Sequence, residues 1–238
     1  KGEAQCRVYQ FNIFDIPVLQ NLKRLALLPL LFVKMPFVFF VGLTTDVTAT
    51  NNGDTELYSN LPNTASGSNT TMHVYQDTGE TDHGLIKFTL PSGSGTISSI
   101  KLFMYLHYSY ANNTINCHSV TQTGWTEAGA TWNKYDGSTN WTTPGGDYNA
   151  TVICHYVNAY GTAATVNAYV PFVLQGTGSD NPLSKTWGDT VNLLLKDSTD
   201  SGSNRGVQFY QKDNGSNMPY IEITYTVATN TGGFFSFF

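Results

Sequence analysis

The sequence predicts an all-β chain: a jelly-roll-like antiparallel β-sandwich carrying an extended apolar N-terminal arm. Three observations predict it. Charged residues make up 12% of the chain and aromatic residues 13%, so the surface is made polar by hydroxyls and amides rather than by ions. Two segments alternate regularly between apolar and polar positions, the pattern of half-buried strands. Gly, Asn, Asp and Ser cluster between these and other short apolar runs, where they supply turns, and no stretch shows a convincing amphipathic helical period.

The chain has 238 residues, enough for one large sandwich or two small domains with a proper core. Its first part stands apart. Leu25 to Leu43 reads LALLPLLFVKMPFVFFVGL behind Lys23 and Arg24, a length and flank that resemble a signal peptide or a membrane span. Pro29 and Pro36 each remove a helix hydrogen bond, and Lys34 near a bilayer midplane costs roughly 2.5 to 3.5 kcal/mol. Residues 1–45 are therefore expected to form an extended docking arm that does not span a membrane, with Leu31, Phe32, Phe37, Phe39 and Phe40 as contacts. An apolar arm of this kind must be covered by its own sandwich or by a neighbouring subunit. The tail, residues 228–238, carries Phe234 and Phe235 behind a Gly-Gly lead and is expected to dock in the same way.

Residues 46–227 form the predicted sandwich. In IKLFMYLHYSY, residues 100–110, Ile100, Leu102, Met104, Leu106 and Tyr108 share one side, while Lys101, Tyr105, His107 and Ser109 lie largely on the other. PYIEITYTV repeats the alternation, with Ile221, Ile223, Tyr225 and Val227 on one side and Glu222, Thr224 and Thr226 on the other. Further strands are expected at 71–76, 84–90, 115–120, 151–157, 190–196 and 205–212. The core is expected to include Ile221, Ile223, Tyr225, Leu102, Met104, Leu106, Trp125 and Trp132. No internal repeat of fixed period is visible.

Charge restricts the partners. The first 45 residues are net +3 and the remainder net −8, so the module repels phosphate backbones and has no basic stripe. Nucleic acid and strongly anionic polysaccharides are excluded as expected partners. The three cysteines, Cys6, Cys117 and Cys154, contain no C-x-x-C pair, which argues against a zinc framework. Strand alternation places Cys117 and Cys154 inward and His118 and His155 outward, leaving buried free thiols or a Cys117–Cys154 disulfide as alternatives.

No catalytic set is present. The chain lacks G-x-S-x-G, H-E-x-x-H, a P-loop and a dinucleotide fingerprint. Glu127 could be one carboxylate of a glycosidase pair, but no motif fixes a second at roughly 5 to 9.5 Å; as a framework residue it holds a turn between two tryptophans. The chain is expected not to be an enzyme and to need no cofactor. A structural calcium ion is the one exception considered, with Asp46, Asp54 and Asp77 as candidate ligands, although no D-x-D-x-D loop fixes them.

DTELYSNLPNTASGSNTTMHV, HGLIKFTLP, ISSIKLFMYL, GWTEAGATWN and NRGVQFYQKDNGSNMPYIEITYT follow one another in the order and spacing of the DNRLRE domain, and the chain resembles that family over residues 46 to 227. The most specific piece is Trp125-Thr126-Glu127 followed by Thr131-Trp132-Asn133, similar to the family's W-x-E-x-x-x-T-W-N segment. The resemblance implies a jelly-roll-like sandwich used as an accessory module in surface and secreted proteins, with polysaccharide binding in some members. It also places Trp125 and Trp132 in the framework. Tyr135 and Trp141, in the long loop NKYDGSTNWTTPGGDYN, and Tyr148 near its end are then the candidate sugar-binding residues, because loops carry function more often than framework strands.

Two functions fit these readings. One is a non-catalytic structural or display module of an extracellular or virion surface assembly, docked through its arm to further copies of itself or to other structural subunits. The other is a secreted carbohydrate-binding module recognising a neutral polysaccharide.

Overall fold

A computed structural model of the chain describes residues 41–158, 166–175, 182–199 and 204–229. These residues form ten strands: β1 (Val41–Tyr58), β2 (Thr71–Asp77), β3 (Glu80–Thr89), β4 (Thr96–Ser109), β5 (Asn113–Val120), β6 (Tyr148–Asn158), β7 (Ala168–Val173), β8 (Thr190–Asp197), β9 (Arg205–Tyr210) and β10 (Tyr220–Thr229). Helix among the described residues is confined to two short 3-10 turns, Pro182–Ser184 and Lys212–Asn214.

All pairings are antiparallel, and the strand order β1-β10-β4-β9-β2-β3-β8-β5-β6 closes through a second pairing of β1 with β3. β1 makes that closure possible by changing partner along its length. Val41–Thr50 pairs with β10, a bulge follows between Asn51 and Gly53, and the remainder pairs with β3. The Asn51 side-chain oxygen accepts the Gly53 N–H at 2.7 Å, a local Asx bond that holds the bend. One long strand therefore serves both layers of the sandwich. The front layer consists of β10, β4, β9 and β2 with β7 added on β4; the back layer consists of β3, β8, β5 and β6.

The alternation of the sequence becomes the core between the layers. Leu102, Met104, Leu106, Ile221 and Ile223 are fully buried from the front, and Ile86, Phe88, Leu193 and Leu195 join the same cluster from the back. Each such side chain contributes roughly 1.5 to 3 kcal/mol on burial. Of the eight core residues read from the sequence, Trp125 is also buried, whereas Tyr225 and Trp132 are half-buried. Tyr225 reaches the rim of the sandwich, where its ring meets Trp187 edge-on at 4.7 Å.

Two strands escaped the sequence reading. β7 contains Pro171, which demotes a run from strand status unless it lies at an edge; β7 pairs only with β4, and Pro171 is exposed there. β1 begins at Val41, inside the stretch assigned to the arm. The candidate assembly residues Leu31, Phe32, Phe37, Phe39, Phe40, Phe234 and Phe235 lie outside the described residues. No helix among the described residues is long and apolar enough to cross a membrane.

Cys117 and Cys154 face each other across β5 and β6 and are both buried as free thiols. Burial, together with the neighbouring Cys117, pushes the Cys154 thiol well above its usual range. Both histidines lie on the side opposite the thiols, as expected: against β8, Cys117 sits opposite Leu195 of the core and His118 opposite Leu194 on the other side. His155 is exposed there, whereas His118 is buried under the start of β6, where its Nδ1 lies 2.9 Å from the Asn149 carbonyl oxygen and its ring lies 4.9 Å from that of Tyr148.

Candidate carbohydrate-binding site

The long connection between β5 and β6 folds over the outer side of the back layer and builds a second apolar cluster there. Leu57, Leu85 and Leu194 from the strands meet Trp125, Ala130 and Trp141 from the loop. The Trp125 indole donates to the Asn192 side-chain oxygen at 3.0 Å, and the Lys87 ammonium sits 4.3 Å from its ring centroid, so both the polar and the π character of the ring are satisfied. Glu127 anchors the same loop: its Oε1 accepts the Asp54 N–H at 3.0 Å and pairs with Lys212 Nζ at 3.1 Å. The role is structural, but the bonds run to β1 and to Lys212 rather than across the turn between the two tryptophans.

The return path of the loop needs glycine. Gly145 and Gly146 have φ of 92° and 107°, and a Cβ would come within 2.8 Å of the Trp132 ring at the first and 2.7 Å of Leu194 at the second. Any side chain there meets strain and a clash together. With the glycines in place, the Gly145 N–H donates to the Trp132 carbonyl at 2.7 Å and Asp147 reaches back to accept the N–H groups of Thr142 and Thr143, both at 2.9 Å.

This folding leaves an open groove of about 570 Å³ beside the loop, lined by Gln122, Thr142, Thr143, Asp147 and Tyr148 among others. Thr142 and Thr143 are exposed. The Tyr148 ring is half-buried, and its hydroxyl accepts from Lys196 Nζ at 3.0 Å. The groove thus offers hydroxyls, an amide and one aromatic ring; its carboxylate, Asp147, is already engaged by backbone donors.

The sequence-derived site residues are placed as follows. Tyr148 lines the groove. Tyr135 is half-buried, with its ring centroid 5.7 Å from that of Trp141. Trp141 is corrected: it is only 4% exposed, lies inside the second cluster and donates its indole N–H to the Thr131 carbonyl at 2.8 Å, so it has no face to offer a sugar. The candidate calcium ligands are also corrected. Asp46 is exposed and accepts from the Thr224 hydroxyl, Asp54 is buried beside Lys212 and Glu127, and Asp77 bonds Thr78 at the β2–β3 turn. Three aspartates in three places form no shared site, and no group of three potential metal ligands occurs among the described residues.

A set of aromatic residues on the outer side of the front layer was missed. Phe103, Tyr105 and His107 of β4, Tyr169 of β7, Tyr210 of β9 and Tyr220 of β10 form one continuous ring cluster. The available signal was the outward side of IKLFMYLHYSY, which is aromatic at three successive outward positions where a solvated strand face is usually polar.

The family profile of carbohydrate-binding module family 96 matches residues 45–181, more than half of the chain. The chain belongs to this family. No curated protein matches it in sequence. The match ends before β8, but β8 to β10 pair with β3, β5, β2, β4 and β1, so the described fold continues beyond it. Of the two functional readings, membership of family 96 supports the carbohydrate-binding module and adds nothing to the displayed structural one. A binding module of this kind acts by holding a glycan and does no chemistry of its own.

Proposed function

We propose that this family 96 module acts outside the cell and binds a neutral polysaccharide along the groove between Gln122 and Tyr148. The observation that carries the reading is the chemistry of the groove. Its free polar groups are hydroxyls and an amide, which pair with sugar hydroxyls in either direction, and its ring can pack against the C–H face of a pyranose. The Asp147 carboxylate, held by the Thr142 and Thr143 N–H groups, is the one charged side chain among the lining residues, and its negative sign disfavours an acidic sugar. Tyr135 extends the aromatic edge of the same loop. Trp141 and Trp125 support it from below.

Titration calorimetry and affinity electrophoresis with soluble neutral polymers, such as a glucomannan, a xyloglucan and a mixed-linkage glucan, test the proposal. At least one should bind, with little dependence on salt. Tyr148→Ala should weaken that binding by roughly two- to tenfold, the equivalent of one lost ring contact of about 0.5 to 1.5 kcal/mol. Tighter binding of an anionic polymer, or an affinity indifferent to Tyr148→Ala and Thr143→Val together, overturns the assignment of the groove.

A further inference from the structure

The two layers of the sandwich treat their outer faces differently. The back layer is covered by the β5–β6 loop and its tryptophans. The front layer has no such cover among the described residues: Tyr169 and Val173 of β7 are 37% and 45% exposed, and Tyr108 of β4 is 51% exposed. A sheet face that faces water is normally polar, yet this one is a continuous sheet of rings.

The rings hold one another. Phe103 stacks on Tyr220 with centroids 4.8 Å apart, Tyr105 stacks on Tyr210 at 5.2 Å, and His107 stacks on Tyr210 at 4.6 Å. Tyr169 meets both Tyr105 and Tyr220 edge-to-face, at 5.3 and 5.2 Å, and its hydroxyl donates to the Met218 carbonyl at 3.2 Å. Such mutual packing fixes the rotamers, so a ligand orders little on arrival. Phe103 to His107 spans two two-residue steps of β4, about 13 Å, and the three adjacent strands add about 10 Å across it. The face has no walls to enclose a single chain.

We infer that this aromatic face is a second glycan-binding surface, one that lies flat against the packed chains of an insoluble neutral polysaccharide. The inference rests on the carbohydrate-binding reading and extends it from a single chain in a groove to a solid surface. Three features favour this occupant over a second copy of the protein. Lys101 and Glu222, at the border of the patch, pair with each other at 2.9 Å, so the face asks no charge of its ligand. The hydroxyls of Tyr105, Tyr210 and Tyr220 have no hydrogen-bond partner among the described residues, and a polysaccharide surface brings a hydroxyl to meet each. A second copy docked face to face about a twofold axis brings the same aromatic patch, whose few tyrosine hydroxyls pair only where the symmetry sets them opposite one another, whereas a polysaccharide presents hydroxyls along its whole length.

Adsorption of the full chain to suspended microcrystalline cellulose, chitin and insoluble mannan, read as depletion from the supernatant, tests this. The expected result is saturable adsorption to at least one of them. A variant with Tyr105→Ser, Tyr169→Ser and Tyr210→Ser together should reduce the partition coefficient at least about tenfold, while binding of soluble polymers in the groove persists. Tyr169→Ser alone, at the exposed edge strand, should give a smaller loss with an unchanged thermal transition and serves if the triple variant does not fold. Soluble binding without adsorption to any solid, or adsorption untouched by these variants, overturns the second surface and leaves the groove standing. Loss of soluble binding and adsorption alike in the unmodified chain defeats the carbohydrate reading itself. Sedimentation that shifts from dimer to monomer in the variants, with adsorption unchanged, assigns the face to contact between copies and also overturns the proposal.

Discussion

Met104→Asp leaves the chain without a cooperative thermal transition. Met104 is fully buried on β4 among Leu102, Leu106 and the facing strands of the back layer, and the site offers an aspartate neither water nor a cationic partner. The substitution forfeits roughly 1.5 to 3 kcal/mol of apolar burial and adds the cost of an unpaired buried carboxyl. Together these consume most of the roughly 5 to 15 kcal/mol by which a domain is stable. β4 also pairs with β7, β9 and β10, so no part of the front layer can let it go alone. Differential scanning calorimetry checks the outcome, and a normal transition for Met104→Asp would show that β4 does not sit in the core. Met104→Leu, which keeps the volume, should cost less than about 1.5 kcal/mol.

Raising the pH from about 4 to 8 should progressively destabilise the module, and Asp82→Asn should remove much of that loss. Asp82 is almost fully buried on β3, and one of its oxygens has no partner in the fold. Burial first, then the Glu56 and Glu80 carboxylates, push its pKa up to about 8. Asp54 is pushed up to about 7, again chiefly by burial, against the opposing N–H of Lys212. Both ordinary values lie near 3.8. Between these limits the folded chain keeps protons that the unfolded chain has released, so stability falls as pH rises. It is fully present below about pH 4 and lost through pH 7 to 8. At about 1.4 kcal/mol per pK unit, the two groups place an effect on the order of several kcal/mol in this window. The melting temperature of Asp82→Asn should therefore exceed that of the unmodified chain at pH 8 and approach it at pH 5. A melting temperature of the unmodified chain that climbs steadily from pH 5 to 8 would contradict the assignment.

The amino-acid sequence by itself determined the layer architecture and its main core. Period-two alternation sorts side chains into two sets, so Leu102, Met104, Ile221 and Ile223 could be placed before any fold was known; past the register shift between Leu106 and Tyr108 the order reverses, leaving Tyr108 exposed and Ser109 buried, the opposite of the alternation. The W-x-E segment was placed by family resemblance rather than by period: Trp125 packs in the second cluster, and Glu127 ties the loop to β1 and to Lys212. The tertiary structure alone decided which outer face would be covered. Trp141 looked available in a long polar loop until that loop closed over the back layer and buried it; His118 keeps the outward side that alternation gives it and is buried by the cover on that side. The front face shows the converse. Tyr105 and His107 were visible as outward residues of one strand, but Phe103 was not singled out, Tyr169, Tyr210 and Tyr220 come from three other strands, and only pairing of β7, β9 and β10 around β4 joins them into one surface. Alternation records which side of its own strand a residue occupies, whereas a binding face is assembled from strands distant in sequence and from whatever does or does not fold over them.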